Sequence, residues 1–177
     1  MAARAAASGD QDAFESLCVA LRTDIFRYCW SLVGDEQLAE DATQETFLRA
    51  TTAIRRFRGD APVKAWLIVL ARRSVGETLR RHRRAADAPL STAPGVHADH
   101  AGVVALNTLI EGLDRDVRAA FVLTQLLGFS YADAAAISEC PVGTIRSRVF
   151  RARDQLITAH LQQSIRIPTP SEVTDDA

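Results

Sequence analysis

Apolar residues recur at intervals of three and four along most of this chain, and that spacing confines it to helices. The clearest run is Phe14, Leu17, Cys18, Leu21, Ile25, Tyr28, Cys29 and Leu32, which share one stripe of an α-helix turning about 100° per residue. The two-residue alternation of a half-buried strand is nearly absent. Gly34 is placed to end this helix. A second is expected from about Glu36 to Ile54, and a third from near Pro62, a residue suited to a first helical turn, to Arg84. From Ala85 to Gly102 the texture changes to Ala, Pro, Ser and Gly, with Pro89, Pro94 and Gly95 as breakers, and reads as a linker. Helical patterning resumes near Val103 with Leu106, Leu109, Ile110 and Leu113, then continues over Asp116–Leu127, Tyr131–Ser138 and Val142–His160. The expected fold is all-α: two small helical domains, residues 11–84 and 103–161, joined by a flexible linker over 85–102 and followed by a loose acidic tail over 162–177.

Composition narrows the class. The chain has 177 residues, 47% of them hydrophobic and 24% charged, which suits a globular chain rather than a disordered or fibrous one. No apolar run approaches the ~20 residues that span a bilayer, and Met1–Gly9 lacks the apolar stretch of a signal peptide. No membrane insertion and a cytoplasmic location are therefore expected. Cys18, Cys29 and Cys140 are widely spaced and odd in number, so they outline neither a disulfide framework nor a zinc site. His82, His97, His100 and His160 are scattered. No metal and no cofactor is expected.

The net charge of −1 argues against nucleic acid until its distribution is read. Between Arg49 and Arg84 stand ten arginines and Lys64 against only Asp60 and Glu77, and Arg146–Arg153 holds four arginines and no acid. Such segregation attracts phosphate locally while the whole molecule stays near neutral.

The C-terminal part has the pattern of a helix-turn-helix. Ser130, with Asp133 three residues on, forms a capping box, and Pro141 can open a new helix after the break Ser138-Glu139-Cys140. Two short helices joined by a tight turn place the second in the DNA major groove. On that second helix Ile145, Val149, Ala152 and Leu156 form the inward stripe, leaving Arg146, Ser147, Phe150 and Arg151 to point outward. Arginine there can read guanine bidentately, serine can reach a base edge, and Phe150 can press on a thymine methyl. Arg148 and Arg153 lie on the flanks, where phosphates run.

In the N-terminal part, Ala39, Ala42, Thr46, Ala50 and Ala53 make a stripe of small residues for close helix packing. Nearly opposite stand Glu40, Asp41, Gln44 and Leu48, with Glu45 at the edge. An apolar centre within a polar rim is the make-up of a protein-binding face. Further on, Phe57, Arg58, Gly59 and Asp60 form a loop with the materials to capture an unpaired base by stacking and hydrogen bonding. Trp66 reads as core, with Leu67 and Leu70. Arg72, Arg73, Arg80, Arg81, Arg83 and Arg84 continue the third helix as a basic edge.

These segments resemble a known family. GFSYADAAAISECPVGTIRSRVFRARDQL is similar to the promoter −35 recognition region of extracytoplasmic-function (group 4) sigma factors, a branch of the sigma-70 family. AEDATQETFLRA and RFRGDAPVKAWL look like its core-binding and −10 regions, in the same order. The resemblance covers roughly Gln11 to Leu161. It implies a non-enzymatic RNA polymerase subunit that directs transcription initiation, with core polymerase (β and β′) and promoter DNA as partners. An anti-sigma factor is a common further partner, though nothing in the chain identifies one. The resemblance also implies polymerase binding by Asp41, Gln44, Glu45 and Leu48, which would dock on the β′ clamp helices. It implies −10 contacts by Phe57, Arg58, Gly59, Asp60, Arg72, Arg73 and Arg80, with a flipped base held in the loop. Contacts to −35 fall to Tyr131, Thr144, Arg146, Ser147, Arg148, Phe150, Arg151 and Arg153. The linker would thread toward the RNA exit path. The chain departs from the family at Arg73, where asparagine is frequent, and at Glu77 and Thr78, where aspartate and tyrosine are common.

Two rivals remain at this point. A dimeric helix-turn-helix regulator would leave the Leu48 face and the Phe57 loop unexplained. A metal-dependent nuclease would use the carboxylates of Asp41 and Glu45, on which no histidine or further acid converges in sequence.

Overall fold

The structure, a computed structural model, describes residues 2–86 and 109–165. The expected linker from residue 87, the onset of the second domain before Leu109 and the tail beyond Ile165 lie outside the described residues. All regular structure among the described residues is helical.

Helix α1 (Ala2–Ala7) is a short alanine-rich turn of chain that lies across α2 (Gln11–Val33). Asp10 starts α2 by accepting the Ala13 N–H at 2.9 Å. Gly34 stops it in the left-handed conformation (φ 70°), which a glycine adopts without the Cβ clash, and its N–H reaches the Trp30 carbonyl at 2.8 Å. Asp35 caps α3 (Glu36–Ala53) in the same way as Asp10 caps α2, accepting from Leu38 N–H at 2.8 Å. A 3₁₀ turn at Ile54–Arg56 leads into the Phe57–Ala61 loop, and α4 (Val63–Ala86) begins just after Pro62.

The small-residue stripe does what its composition dictates. Ala39, Ala42, Thr46 and Ala50 are fully buried, so α3 lies close against α2 and α4. Ile25, Tyr28, Cys29 and Leu32 meet Leu67, Ile68, Ala71 and Val75 around them.

In the second unit, a helical turn over 109–111 precedes α5 (Arg115–Phe121). The sequence predicted one helix to Leu127, but α5 widens into a π turn over Val122–Leu126, where Leu127 N–H bonds the Val122 carbonyl at 2.9 Å. Gly128, at φ 75°, then turns the chain. Helices α6 (Tyr131–Ser138) and α7 (Val142–Ile165) follow, with Ser130 Oγ accepting the Asp133 N–H at 3.0 Å. The reciprocal arm of the capping box differs from the sequence expectation, because the Ser130 hydroxyl itself donates to Asp133 at 2.6 Å.

The two units pack directly on each other. Helix α2 rests on α5 and the π turn, and α4 rests on α6. One continuous core cluster runs from Ile25 on α2 and Leu67, Ile68 and Ala71 on α4 into Leu123, Ala135 and Val149.

Candidate nucleic-acid and protein interfaces

Helix α7 divides as its periodicity predicts. Ile145, Val149 and Ala152 are at most 1% exposed, and Leu156 is half-buried. Arg146, Ser147 and Arg151 face solvent, and Phe150 is 75% exposed between them. The Phe150 ring thus stands free for contact on the same outward face as the arginines. Thr144 and Tyr131 are half-buried at the edge of the same unit. The flanking arginines are engaged within the unit. Arg148 pairs with Asp116 and approaches Cys140 Sγ at 3.8 Å, and Arg153 donates to Gln125 Oε1 at 2.8 Å.

The Phe57–Ala61 loop presents Arg58, Asp60 and Ala61 to solvent around Gly59, which takes φ 79°. Phe57 is half-buried, its ring 5.4 Å from that of Trp66 and tilted by 53°. The loop is thus anchored by an aromatic pair, and Trp66 packs on both neighbouring core clusters as expected. On α4, Arg73 and Arg80 are exposed. Arg72 is not free. Its Nη1 donates to the Ile137 carbonyl at 3.1 Å and lies 2.8 Å from Glu139 of the helix-turn-helix turn.

Lys64 and Arg118 behave alike. Lys64 Nζ donates to the Leu127 carbonyl at 2.9 Å, pairs with Asp24 at 2.6 Å and sits 5.6 Å from the Phe129 ring centre. Arg118, 7% exposed, donates from Nε to the Ser31 carbonyl at 2.8 Å and lies 5.3 Å from the Trp30 ring centre. A cation shielded from water needs such carbonyl and ring partners. Three cations therefore join the two units, and sequence reasoning read only one of them, Arg72, as functional.

On α3, Asp41 and Gln44 are exposed and Leu48 is 66% exposed. Leu48 borders a mostly apolar groove of about 450 Å³ between α2 and α3, lined by Phe14, Cys18 and Val19 on one side and Phe47 on the other. Val19, 74% exposed, was missed from sequence. Its signal is an apolar residue on the polar face of α2. Glu45 is half-buried and held by Arg49 at 2.7 Å, with Arg81 at 3.8 Å. Its charge faces arginines, and among the described residues no group of three or more His, Cys, Asp or Glu is arranged to hold a metal ion.

The chain matches the family models for sigma-70 region 2 over residues 17–85 and sigma-70 region 4 over residues 104–156. It is 43% identical over 162 residues to the ECF RNA polymerase sigma factor SigC of Mycobacterium tuberculosis, an alignment covering 88% of this chain and 87% of that protein. This chain belongs to the extracytoplasmic-function group of the sigma-70 family. It is an RNA polymerase sigma factor for transcription initiation. The Escherichia coli ECF sigma-E factor is 31% identical over 166 residues, covering 84% of this sigma factor and 86% of the relative. The fold matches the Bartonella quintana sigma factor RpoE, solved in complex with the anti-sigma factor NepR. The TM-score is 0.68 at 28% identity, over 88% of this chain and 98% of that one. CnrH, solved with the cytosolic domain of CnrY, gives a TM-score of 0.66 at 28% identity, covering 92% and 96%.

The departures noted at Glu77 and Thr78 take a different meaning in this sigma factor. Thr78 is 4% exposed and faces the core, while Glu77 is occupied by a two-point contact with Arg49, one bond of 2.9 Å. Of the three departures, Arg73 is the one that is exposed. No helix among the described residues is long and apolar enough to cross a membrane.

Proposed function

We propose that this sigma factor works without a chemical step, by gripping polymerase and promoter at three surfaces and keeping a fourth closed on itself in the free chain. The exposed face of α3, Asp41, Gln44 and Leu48 with Glu45 at its edge, docks on the clamp helices of β′, and Val19 and the groove beside it extend that contact. Arg146, Ser147, Phe150 and Arg151, with Tyr131 and Thr144 at the margin, read duplex −35 DNA in the major groove. Phe57–Asp60 captures an unpaired −10 base, and Arg73 and Arg80 hold the strand's phosphates. Arg148 and Arg153 set the angle of α7 through Asp116 and Gln125 and reach phosphate only from the flank.

The fourth surface is the contact between the two units. Arg72 is committed to Ile137 and Glu139, so the −10 helix gains that cation only when the units part. Polymerase binding supplies the reason to part, because each unit's weak DNA contact then adds to the other's through effective concentration. The free chain binds promoters poorly for both reasons. The complexes of its structural relatives support an anti-sigma protein as a further partner, and the cytoplasm as the place of action.

One observation carries this reading: among the described residues the three most exposed large apolar side chains fall on two separate faces, Val19 with Leu48 and Phe150, one suited to protein and one set among arginines. A stand-alone DNA-binding regulator has use for the second alone. Affinity purification of the tagged full chain from its own cytoplasm tests the choice. Recovery of β and β′ is expected. A palindromic footprint by the pure protein, with no polymerase recovered, would favour the regulator.

A further inference from the structure

Helix α1 carries one charged side chain, Arg4, among five alanines. The alanines let the helix lie flat: Ala6 is 2% exposed in a cluster with Leu17 and Ile54, against which Phe57 and Trp66 also pack. The connection is firm as well as short. Ser8 N–H and hydroxyl both bond the Arg4 carbonyl at 3.0 Å, and Asp10 N–H bonds the Ala5 carbonyl at 3.1 Å. Arg4 is thereby held beside the loop that follows Phe57. A methyl group built on Gly59 would stand 3.6 Å from Arg4 Nε and 3.8 Å from Nη2, so the guanidinium covers the open face of that glycine.

The cations there outnumber the one acid of the loop, Asp60. Arg4, Arg55, Arg56 and Arg58 are all exposed, and none of them is in an ion pair among the described residues. Four arginines against the single carboxylate of Asp60 leave the loop and its approach net positive, which suits a polyanion, and a planar fork that is always charged suits phosphate best.

We propose that Arg4 is a further DNA-binding residue of this sigma factor, contacting a backbone phosphate of the single strand whose base enters the Phe57–Ala61 loop. The inference rests on the −10 reading of that loop and extends it to a helix outside the segment that resembles the family. Backbone hydrogen bonds hold α1 in place, so the side chain can be changed without unfolding its support, and Arg4→Ala keeps helix propensity.

The test uses holoenzyme assembled from core polymerase and the full chain, titrated with a labelled single-stranded DNA of mixed sequence, about 12 nucleotides long, at several salt concentrations. Arg4→Ala should weaken binding by roughly threefold to tenfold and reduce the slope of log affinity against log salt by about 0.7, the value of one single-strand phosphate contact. Arg4→Lys should keep the slope, and Arg4→Glu should lose more than Arg4→Ala. Unchanged binding by Arg4→Ala overturns the proposal. So does a loss with an unaltered slope, which assigns Arg4 to bracing the loop. Phe57→Ala is measured in parallel: its loss alone leaves the −10 reading standing without Arg4, and no loss at either residue removes both.

Discussion

Arg72, on the helix assigned to the −10 element, forms a 2.8 Å ion pair with Glu139, the residue that turns the helix-turn-helix of the other unit. Glu139 holds φ 53°, a conformation costly for a residue with a Cβ and kept only where its surroundings demand it. Its side chain is 77% exposed and that of Arg72 35%, so the pair alone is worth at most about 1 kcal/mol. Glu139→Gly should relax the backbone while deleting the pair, and Glu139→Lys should set two cations face to face. We expect Glu139→Lys to enlarge the free chain in small-angle scattering and to raise its affinity for DNA by about twofold to fivefold. Dimensions and affinity equal to those of the unaltered chain would show that Glu139 does not restrain the units.

Leu48→Asp and Val19→Asp each put a charge into the apolar centre of the α2–α3 groove. Both side chains are mostly in water already, so stability should change by less than about 0.5 kcal/mol. Polymerase binding should be lost for Leu48→Asp and weakened for Val19→Asp in a β′ pull-down, with DNA affinity of the C-terminal unit retained. Normal recovery of β′ with Leu48→Asp would discard that face as the docking surface.

The arginines of α7 should separate into two classes. Arg146→Ala and Arg151→Ala should cost about 1–3 kcal/mol of specific −35 affinity and relax discrimination. Arg148→Ala should instead lower the melting temperature, because it releases Asp116 and Cys140. Equal losses on scrambled and specific DNA for Arg146→Ala would show that it touches phosphate alone.

That division marks where the sequence was legible. The inward stripe Ile145, Val149 and Ala152 and the cap at Ser130 follow from local rules, since periodicity and first-turn donors act over four residues. The small-residue face of α3 was equally plain. Arg72, Arg148 and Lys64 were not, because a cation looks solvated in sequence until a distant carbonyl or carboxylate is brought to it by the fold. The π turn at Val122–Leu126 hid for a related reason: shifting one hydrogen bond register leaves the apolar spacing almost unchanged. Helix α1 hid because alanines carry no amphipathic stripe, although Ala6 is small enough to be buried.

Acid should loosen the first unit at a defined place. The Arg49 guanidinium bonded to Glu77 lowers that carboxyl's pKa below the ordinary glutamate value. A carboxylate whose pKa is lower folded than unfolded stabilises the fold above its unfolded pKa, and that contribution fades as pH falls through the folded pKa. Glu77→Gln should therefore melt below the unaltered chain at pH 7, and the gap should close as pH falls below about 4. A gap that persists unchanged into acid would place the effect elsewhere than the Arg49 pair.

The most direct measurement is transcription from a library of promoter fragments by core polymerase with and without this chain. Added protein should give new start sites sharing two sequence elements at fixed spacing, and Leu48→Asp should abolish them. If core enzyme starts no new RNA on any template in its presence, the account of two units brought onto one promoter by polymerase is contradicted.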